Sequence, residues 1–85
     1  MGDPDAAIMD YERSLRLFEE LFNGYSLAAV LDHLGSAQLE LGDVARARAS
    51  WTRAADIFDG LRVARAAEIR AKATALPRPE TQAAP

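Results

Sequence analysis

The chain has 85 residues, no cysteine and a net charge of −3 at pH 7, so it suits one small domain and excludes disulfides and cysteine-ligated metals. Apolar residues make up 49% of the chain, but eighteen of them are alanines, which favour helix. No stretch alternates with the period of a β-strand, no apolar run reaches the length of a membrane span, and the first residues do not form a signal peptide. We therefore expect an all-α, cytoplasmic domain.

The apolar spacing predicts four helices, of which the first covers about Pro4 to Phe22. Asp3 is its expected N-cap, and proline suits the first helical position. Its apolar side chains recur at steps of three and four and form one stripe: Ile8, Tyr11, Leu15, Phe18 and Phe22. Asn23-Gly24 should break this helix.

The second and third helices are predicted over about residues 26–41 and 44–59. Gly42-Asp43 is typical of the end of one helix and the cap of the next. Gly35 lies inside the second helix, where it costs about 1 kcal/mol relative to alanine. We therefore expect a tertiary contact that requires a small residue at this position.

The fourth helix is predicted over about residues 61–76, and it is rich in alanine and arginine. The tail, residues 77–85, contains three prolines and no large apolar side chain, so it should be disordered. Residues 1–76 are thus expected to form the folded domain.

The chain contains an internal repeat with a period of about 40 residues. The equivalent pairs are Gly2 and Gly42, Asp3 and Asp43, Ala7 and Ala47, Tyr11 and Trp51, Arg13 and Arg53, Ser14 and Ala54, Leu17 and Ile57, Phe18 and Phe58, and Leu21 and Leu61. The repeating unit is a helical hairpin, and the chain is expected to start at the turn within one, as a segment of a longer array would.

These residues resemble the signature of the tetratricopeptide repeat. The matching positions are Leu34, Gly35, Gly42, Ala47, Trp51, Ala54 and Phe58, and half of the signature recurs from Gly2 to Phe18. The resemblance implies a right-handed α-solenoid fragment of antiparallel hairpins. It also implies that Gly35 is a notch facing Ala47 and Ala54, while Trp51 fills the gap to the next hairpin.

The long period is similar to the repeats in C-terminal regions of actinobacterial transcriptional regulators of the antibiotic-regulatory (SARP) type and of related signalling ATPases. The string LDHLG, followed by Gly42-Asp43, Trp51 and Phe58, carries this likeness. It implies a protein-interaction or oligomerisation module of a larger regulator. The chain contains no residues of the DNA-binding or nucleotide-binding modules of such regulators.

The family resemblance also implies a concave groove lined by the second helix. Its groove positions in this sequence are Ala29, Asp32, His33, Ser36, Leu39 and Glu40. The chaperone-tail clamps of the family have lysine and asparagine at the places of Asp32 and Ser36. This departure favours a cationic or mixed peptide over a carboxylate tail, and a neighbouring repeat could instead fill the groove.

Self-association is a further expectation. The hairpin to which the first helix belongs has no first helix of its own in the sequence, which leaves part of its stripe uncovered at Ile8, Leu15, Phe18 and Phe22. Residues 1–42 carry a charge of −6 and residues 43–72 carry +3. We therefore expect a homodimer with antiparallel or head-to-tail pairing.

Catalysis, metal binding and a cofactor are not expected. His33 is the only histidine, and Asp32 next to it points about 100° away on a helix. The acidic residues have no histidine or cysteine partners at metal-ligand spacing, no serine has a neighbouring base, and the glycines are too far apart for a phosphate loop.

Nucleic-acid binding is the alternative function, which the sequence favours less than a protein-interaction role. Seven cations could form a patch on the last two helices: Arg46, Arg48, Arg53, Arg62, Arg65, Arg70 and Lys72. No aromatic residues alternate with them, and the sequence pI is about 5.0. A solvated face with helical ion pairs explains the same pattern.

Overall fold

The computed structural model describes residues 3–77, which form four helices. These are α1 (Pro4–Glu20), α2 (Gly24–Glu40), α3 (Val44–Gly60) and α4 (Arg65–Ala75). No strand occurs within residues 3–77, so the all-α prediction is confirmed. No helix of this range is long and apolar enough to cross a membrane. The predicted tail, apart from Pro77, lies outside the described residues.

The first three helices share the same length and the same type of N-cap. Each has 17 residues, and they begin at residues 4, 24 and 44, so the 40-residue period consists of two units of equal length. Each begins after an N-cap side chain that accepts a backbone N–H: Asp3 from Asp5 (3.0 Å), Asn23 from Ser26 (3.1 Å) and Asp43 from Arg46 (3.1 Å). These caps satisfy donors that the first helical turn leaves unpaired.

The same three helices also end in the same way. Past each helix, a backbone N–H closes the last turn: Asn23 donates to Phe18 (2.9 Å), Asp43 to Gln38 (2.9 Å) and Val63 to Phe58 (2.8 Å). The residue before each donor has a positive φ, namely Phe22 (54°), Gly42 (79°) and Arg62 (61°). This is the Schellman arrangement, for which glycine is the usual residue.

Three predicted boundaries differ from the structure because of these caps. Phe22 does not continue the stripe of α1, since the helix ends at Glu20 and the Phe22 side chain is 95% exposed. α2 begins at Gly24, because Asn23 caps a helix that glycine can enter. α4 begins at Arg65 rather than near residue 61, because the turn at Arg62 separates it from α3.

The helices pack as consecutive antiparallel neighbours, and α2 lies between α1 and α3. Turns of three residues join the first three helices, which forces each helix to reverse direction. The core is formed by buried side chains of three helices: Leu27, Leu31, Leu34, Trp51, Ala54, Ala55, Phe58 and Ile69. From α1, Ile8, Tyr11, Leu15 and Phe18 pack partly buried against this cluster.

Gly35 is required by the ring of Trp51. A Cβ atom at residue 35 would lie 2.5 Å from Trp51 Cδ1 and 2.9 Å from Cε2, which is closer than side-chain atoms approach. The indole Nε1–H donates to the carbonyl of Asp32 at 2.9 Å, which holds the ring in this place. The notch therefore receives Trp51 itself, while Ala47 and Ala54 are fully buried.

Candidate functional site

The six groove positions implied by the sequence lie on α2, but they differ in accessibility. His33, Ser36, Leu39 and Glu40 are exposed, and Ala29 is half-buried. Asp32 is the exception, because only 7% of its surface is accessible. Five of the six positions can therefore contact another molecule, at least in part.

The Asp32 carboxylate forms two ion pairs, one with each of two cations of α4. Its carboxylate oxygens lie 2.7 Å from Arg65 Nη2 and 2.6 Å from Lys72 Nζ. The same cations lie over aromatic rings, Arg65 at 5.4 Å from the Phe58 centroid and Lys72 at 4.7 Å from the Trp51 centroid. Asp32 thus joins α2 to α4 and is not a free groove carboxylate.

The 40-residue period of the sequence contains a signal for this contact. Asp32 and Lys72 are 40 residues apart and occupy equivalent positions of the repeat, but with opposite charges. In a stack of similar units each repeat contacts the next one, so equivalent positions of successive repeats can approach each other. Opposite charges there indicate an ion pair between neighbouring helices.

A cleft of about 240 Å³ lies between the start of α1 and the end of α2. Its walls are formed by Asp3, Pro4, Ala7 and Tyr11 from α1 and its cap, and by His33, Ser36, Ala37 and Glu40 from α2. The rings of Tyr11 and His33 stack, with centroids 6.0 Å apart and planes 18° apart. Three of the predicted groove residues therefore meet here, and α1 contributes a wall that sequence reasoning did not assign.

The predicted basic patch is largely neutralised by acids of the same chain. Besides the Asp32 pairs, Arg53 binds Glu19 at 2.8 Å, Arg70 binds Asp56 at 3.0 Å and Arg46 binds Asp43 at 3.5 Å. Arg48 donates to the backbone carbonyls of Leu76 and Pro77. Five of the seven cations are thus paired with carboxylates, which reduces the positive charge that could attract a phosphate backbone.

Residues 3–77 contain neither a metal-ligand cluster nor a buried side-chain polar atom without a hydrogen-bond partner. Between residues 3 and 77, no three histidine, cysteine or acidic side chains come together as metal ligands. Over the same range, every buried side-chain nitrogen or oxygen has a hydrogen-bond partner, such as Ser50 Oγ, which donates to Gln38 Oε1 at 2.6 Å. The buried polar side chains of this range therefore form hydrogen bonds within the fold.

Comparison with known protein families identifies the family to which this helical arrangement belongs. A family model described as tetratricopeptide repeat matches residues 1–59. The chain belongs to the tetratricopeptide repeat family, whose domains are non-catalytic scaffolds that generally mediate protein–protein interaction. Comparison with curated proteins found no match, and comparison with solved structures found none either.

Proposed function

We propose that this domain binds a partner polypeptide in the cleft between α1 and α2 and along the exposed face of α2. The observation that carries the proposal is that His33, Ser36 and Glu40 line the cleft and are all exposed. Family membership supports a protein partner over a small molecule. A ligand that covers this face would contact the groove residues Ala29 and Leu39 as well.

Peptide selection followed by mapping tests this proposal. Peptides selected from a random library against the whole chain should shift the backbone amide signals of His33, Ser36 and Glu40 in ¹⁵N spectra. Ser36→Arg should weaken a selected peptide, since it places a bulky charge in the cleft, whereas the exposed control Ala49→Arg on α3 should not. Shifts confined to α3 and α4 would contradict the proposal.

We also propose that the domain is the C-terminal repeat segment of a larger transcriptional regulator or signalling protein. The support is the likeness of LDHLG, Gly42-Asp43, Trp51 and Phe58 to the long repeats of such regulators. The genomic reading frame decides this point. A DNA-binding or nucleotide-binding module encoded in frame before Met1 would agree with the proposal, and an in-frame stop codon directly upstream would contradict it.

A second interaction surface is the side of α1 that faces away from α2. In α3, the repeat positions Ala47, Trp51, Ala54 and Phe58 are at most 4% exposed, whereas their equivalents in α1 are all only half-buried. The equivalents are Ala7, Tyr11, Ser14 and Phe18. α3 owes its extra burial to α2 and α4 on its two sides. A flanking repeat or a second copy of the chain would supply the missing cover to α1.

The side chains that such a partner would contact differ from those expected from the stripe. Ile8, Leu15 and Phe18 already pack partly against the core, so the exposed apolar side chains of the helix are Met9 (56%) and Leu17 (53%). Leu21 (62%) and Phe22 (95%) extend the same surface past the helix end. We propose that this surface forms the interface of a homodimer.

Sedimentation velocity over a concentration series tests the homodimer. The wild-type chain should shift from monomer to dimer as its concentration rises, and Leu17→Glu should remove the shift because a carboxylate would enter an apolar interface. Ala49→Glu on α3 is the matched control, since it adds the same single negative charge at an exposed position outside α1. A wild-type chain that stays monomeric throughout would contradict the proposal.

A further inference from the structure

We propose that the cleft between α1 and α2 binds the guanidinium group of an arginine side chain supplied by the partner. This inference rests on the proposed function, because it assigns the chemistry of the ligand to the same site. The cleft volume of about 240 Å³ is below the roughly 300–1,000 Å³ of typical small-molecule pockets. It therefore suits one long side chain better than a folded element or a drug-sized ligand.

The charges of the cleft favour a cation. Two carboxylates, those of Asp3 and Glu40, contribute to its walls, and no lysine or arginine does. Within residues 3–77, neither carboxylate forms an ion pair, in contrast to Asp32, Asp43 and Glu19. Asp3 Oδ1 accepts the N–H of Asp5, and no group of residues 3–77 donates to Asp3 Oδ2. Carboxylate oxygens are acceptors only, so they bind a donor-rich cation and repel an anion.

The aromatic wall favours arginine over lysine. Tyr11 and His33 stack on each other and both line the cleft, and a planar guanidinium can lie against such rings while its N–H groups bond carboxylates. The aliphatic part of an arginine side chain would contact Pro4, Ala7 and Ala37. Lysine has a point charge that is more strongly hydrated, so it would gain less from the same surroundings.

The test compares two peptides that differ in one charge. The probes are Ac-Ala-Ala-Arg-Ala-Ala-NH₂ and the same peptide with citrulline, which has nearly the shape of arginine but no charge. In titrations of the ¹⁵N-labelled whole chain, the arginine peptide should produce saturable shifts at the amides of Tyr11, His33 and Glu40. The citrulline peptide should bind at least about fivefold more weakly.

Charge-removing variants identify the carboxylates involved. Asp3→Asn keeps an N-cap of equal quality, and Glu40→Gln keeps the side-chain length. Each should weaken the arginine peptide by about two- to fivefold, as expected for a partly exposed ion pair. Glu20→Gln is the matched control, because it removes one charge at the end of α1 outside the cleft and should leave the affinity unchanged.

The outcomes separate this inference from the proposed function. Equal affinity for both peptides, no saturable shift, or unchanged affinity in both Asp3→Asn and Glu40→Gln would overturn the arginine assignment. Selected library peptides that still shift His33 and Ser36 would then leave the proposed function intact. Shifts at these amides that depend on protein concentration without peptide, and disappear in Glu40→Gln, would support the assignment with a second copy as the source of the arginine.

Discussion

Gly35 of α2 has no side chain, and the ring of Trp51 of α3 fills the space that a methyl group would take. Trp51 is only 4% exposed, and its Nε1–H is bonded to the Asp32 carbonyl, so the ring cannot move away from α2 without breaking that bond. The compensating contact expected for a glycine within a helix is therefore this ring. The family signature indicated both residues, but their direct contact required the three-dimensional arrangement.

Gly35→Ala should destabilise the domain although alanine favours helix. The new Cβ overlaps the ring of Trp51, and overpacking of this kind costs about 1–3 kcal/mol, which exceeds the gain of about 1 kcal/mol from helix propensity. Urea unfolding monitored by circular dichroism measures the change. Gly60→Ala is the control, because no atom lies within 4 Å of its Cβ position, and it should not lose stability.

Arg62→Gly should stabilise the domain by about 1 kcal/mol. Arg62 adopts a φ of 61°, which costs a residue with a side chain roughly 1–2 kcal/mol and costs glycine little. The gain is reduced because glycine has more freedom in the unfolded chain. Thermal unfolding checks the result against Arg62→Ala, which removes the same side chain but keeps the strain. Equal melting temperatures of the two variants would contradict the strain argument.

At the scale of helices, the capping residues explain which boundaries could be predicted. Asp3, Asp43 and Gly42 are recognisable cap residues, so the start of α1 and both ends of the α2–α3 turn were predicted correctly within about two residues. Phe22 and Arg62 occupy the position that glycine usually takes, and no local signal marks them. The C-terminal end of α1 and the start of α4 were therefore misplaced.

Only part of the candidate site could likewise be predicted from the sequence. The groove residues of α2 follow from a linear signature, whereas the α1 wall with Asp3 and Tyr11 depends on how the two helices are placed. The burial of Asp32 depends on two cations more than 30 residues away in the chain. Such contacts are set by packing and have no signature within a single helix.

α4 is the helix that depends most on polar contacts. Only Ala66, Ile69 and Ala73 of this helix are buried, and no side chain caps its start. Asp32→Asn should therefore cost about 1.5–3 kcal/mol, the range for hydrogen bonds to charged groups, and should raise amide hydrogen exchange in α4 more than in α2.

Asp56→Asn is the control for this prediction. It breaks the pair with Arg70, in which both side chains are about half exposed or more, so its effect should stay within about 0.5 kcal/mol. If the two variants lost equal stability, or if exchange rose evenly over all four helices, Asp32 would not be the group that holds α4.

At the scale of the whole molecule, stability should fall from the centre towards α1. α1 has no buried residue, whereas α3, of equal length and related sequence, has six. Native-state hydrogen exchange should therefore show lower protection in α1 than in α3 at low protein concentration.

Protection of α1 should rise with protein concentration if a second copy covers it. Leu17→Glu removes the proposed interface and should keep the low protection at every concentration. Equal protection of α1 and α3 in a dilute sample would contradict the comparison of burial between the two helices.

The ion pair between Asp32 and Lys72 also restricts the order in which helices can follow one another in the repeat array. The two residues occupy the same position in successive repeats, so an acid must be followed by a base for neighbouring helices to attract each other. A tandem duplication of α4 would bring two lysines together, and a duplication of α2 would bring two buried carboxylates together, which repel. The order of charges therefore adds to the packing of the hairpins in determining which helix can follow which, and an engineer who lengthens this array should alternate the two signs.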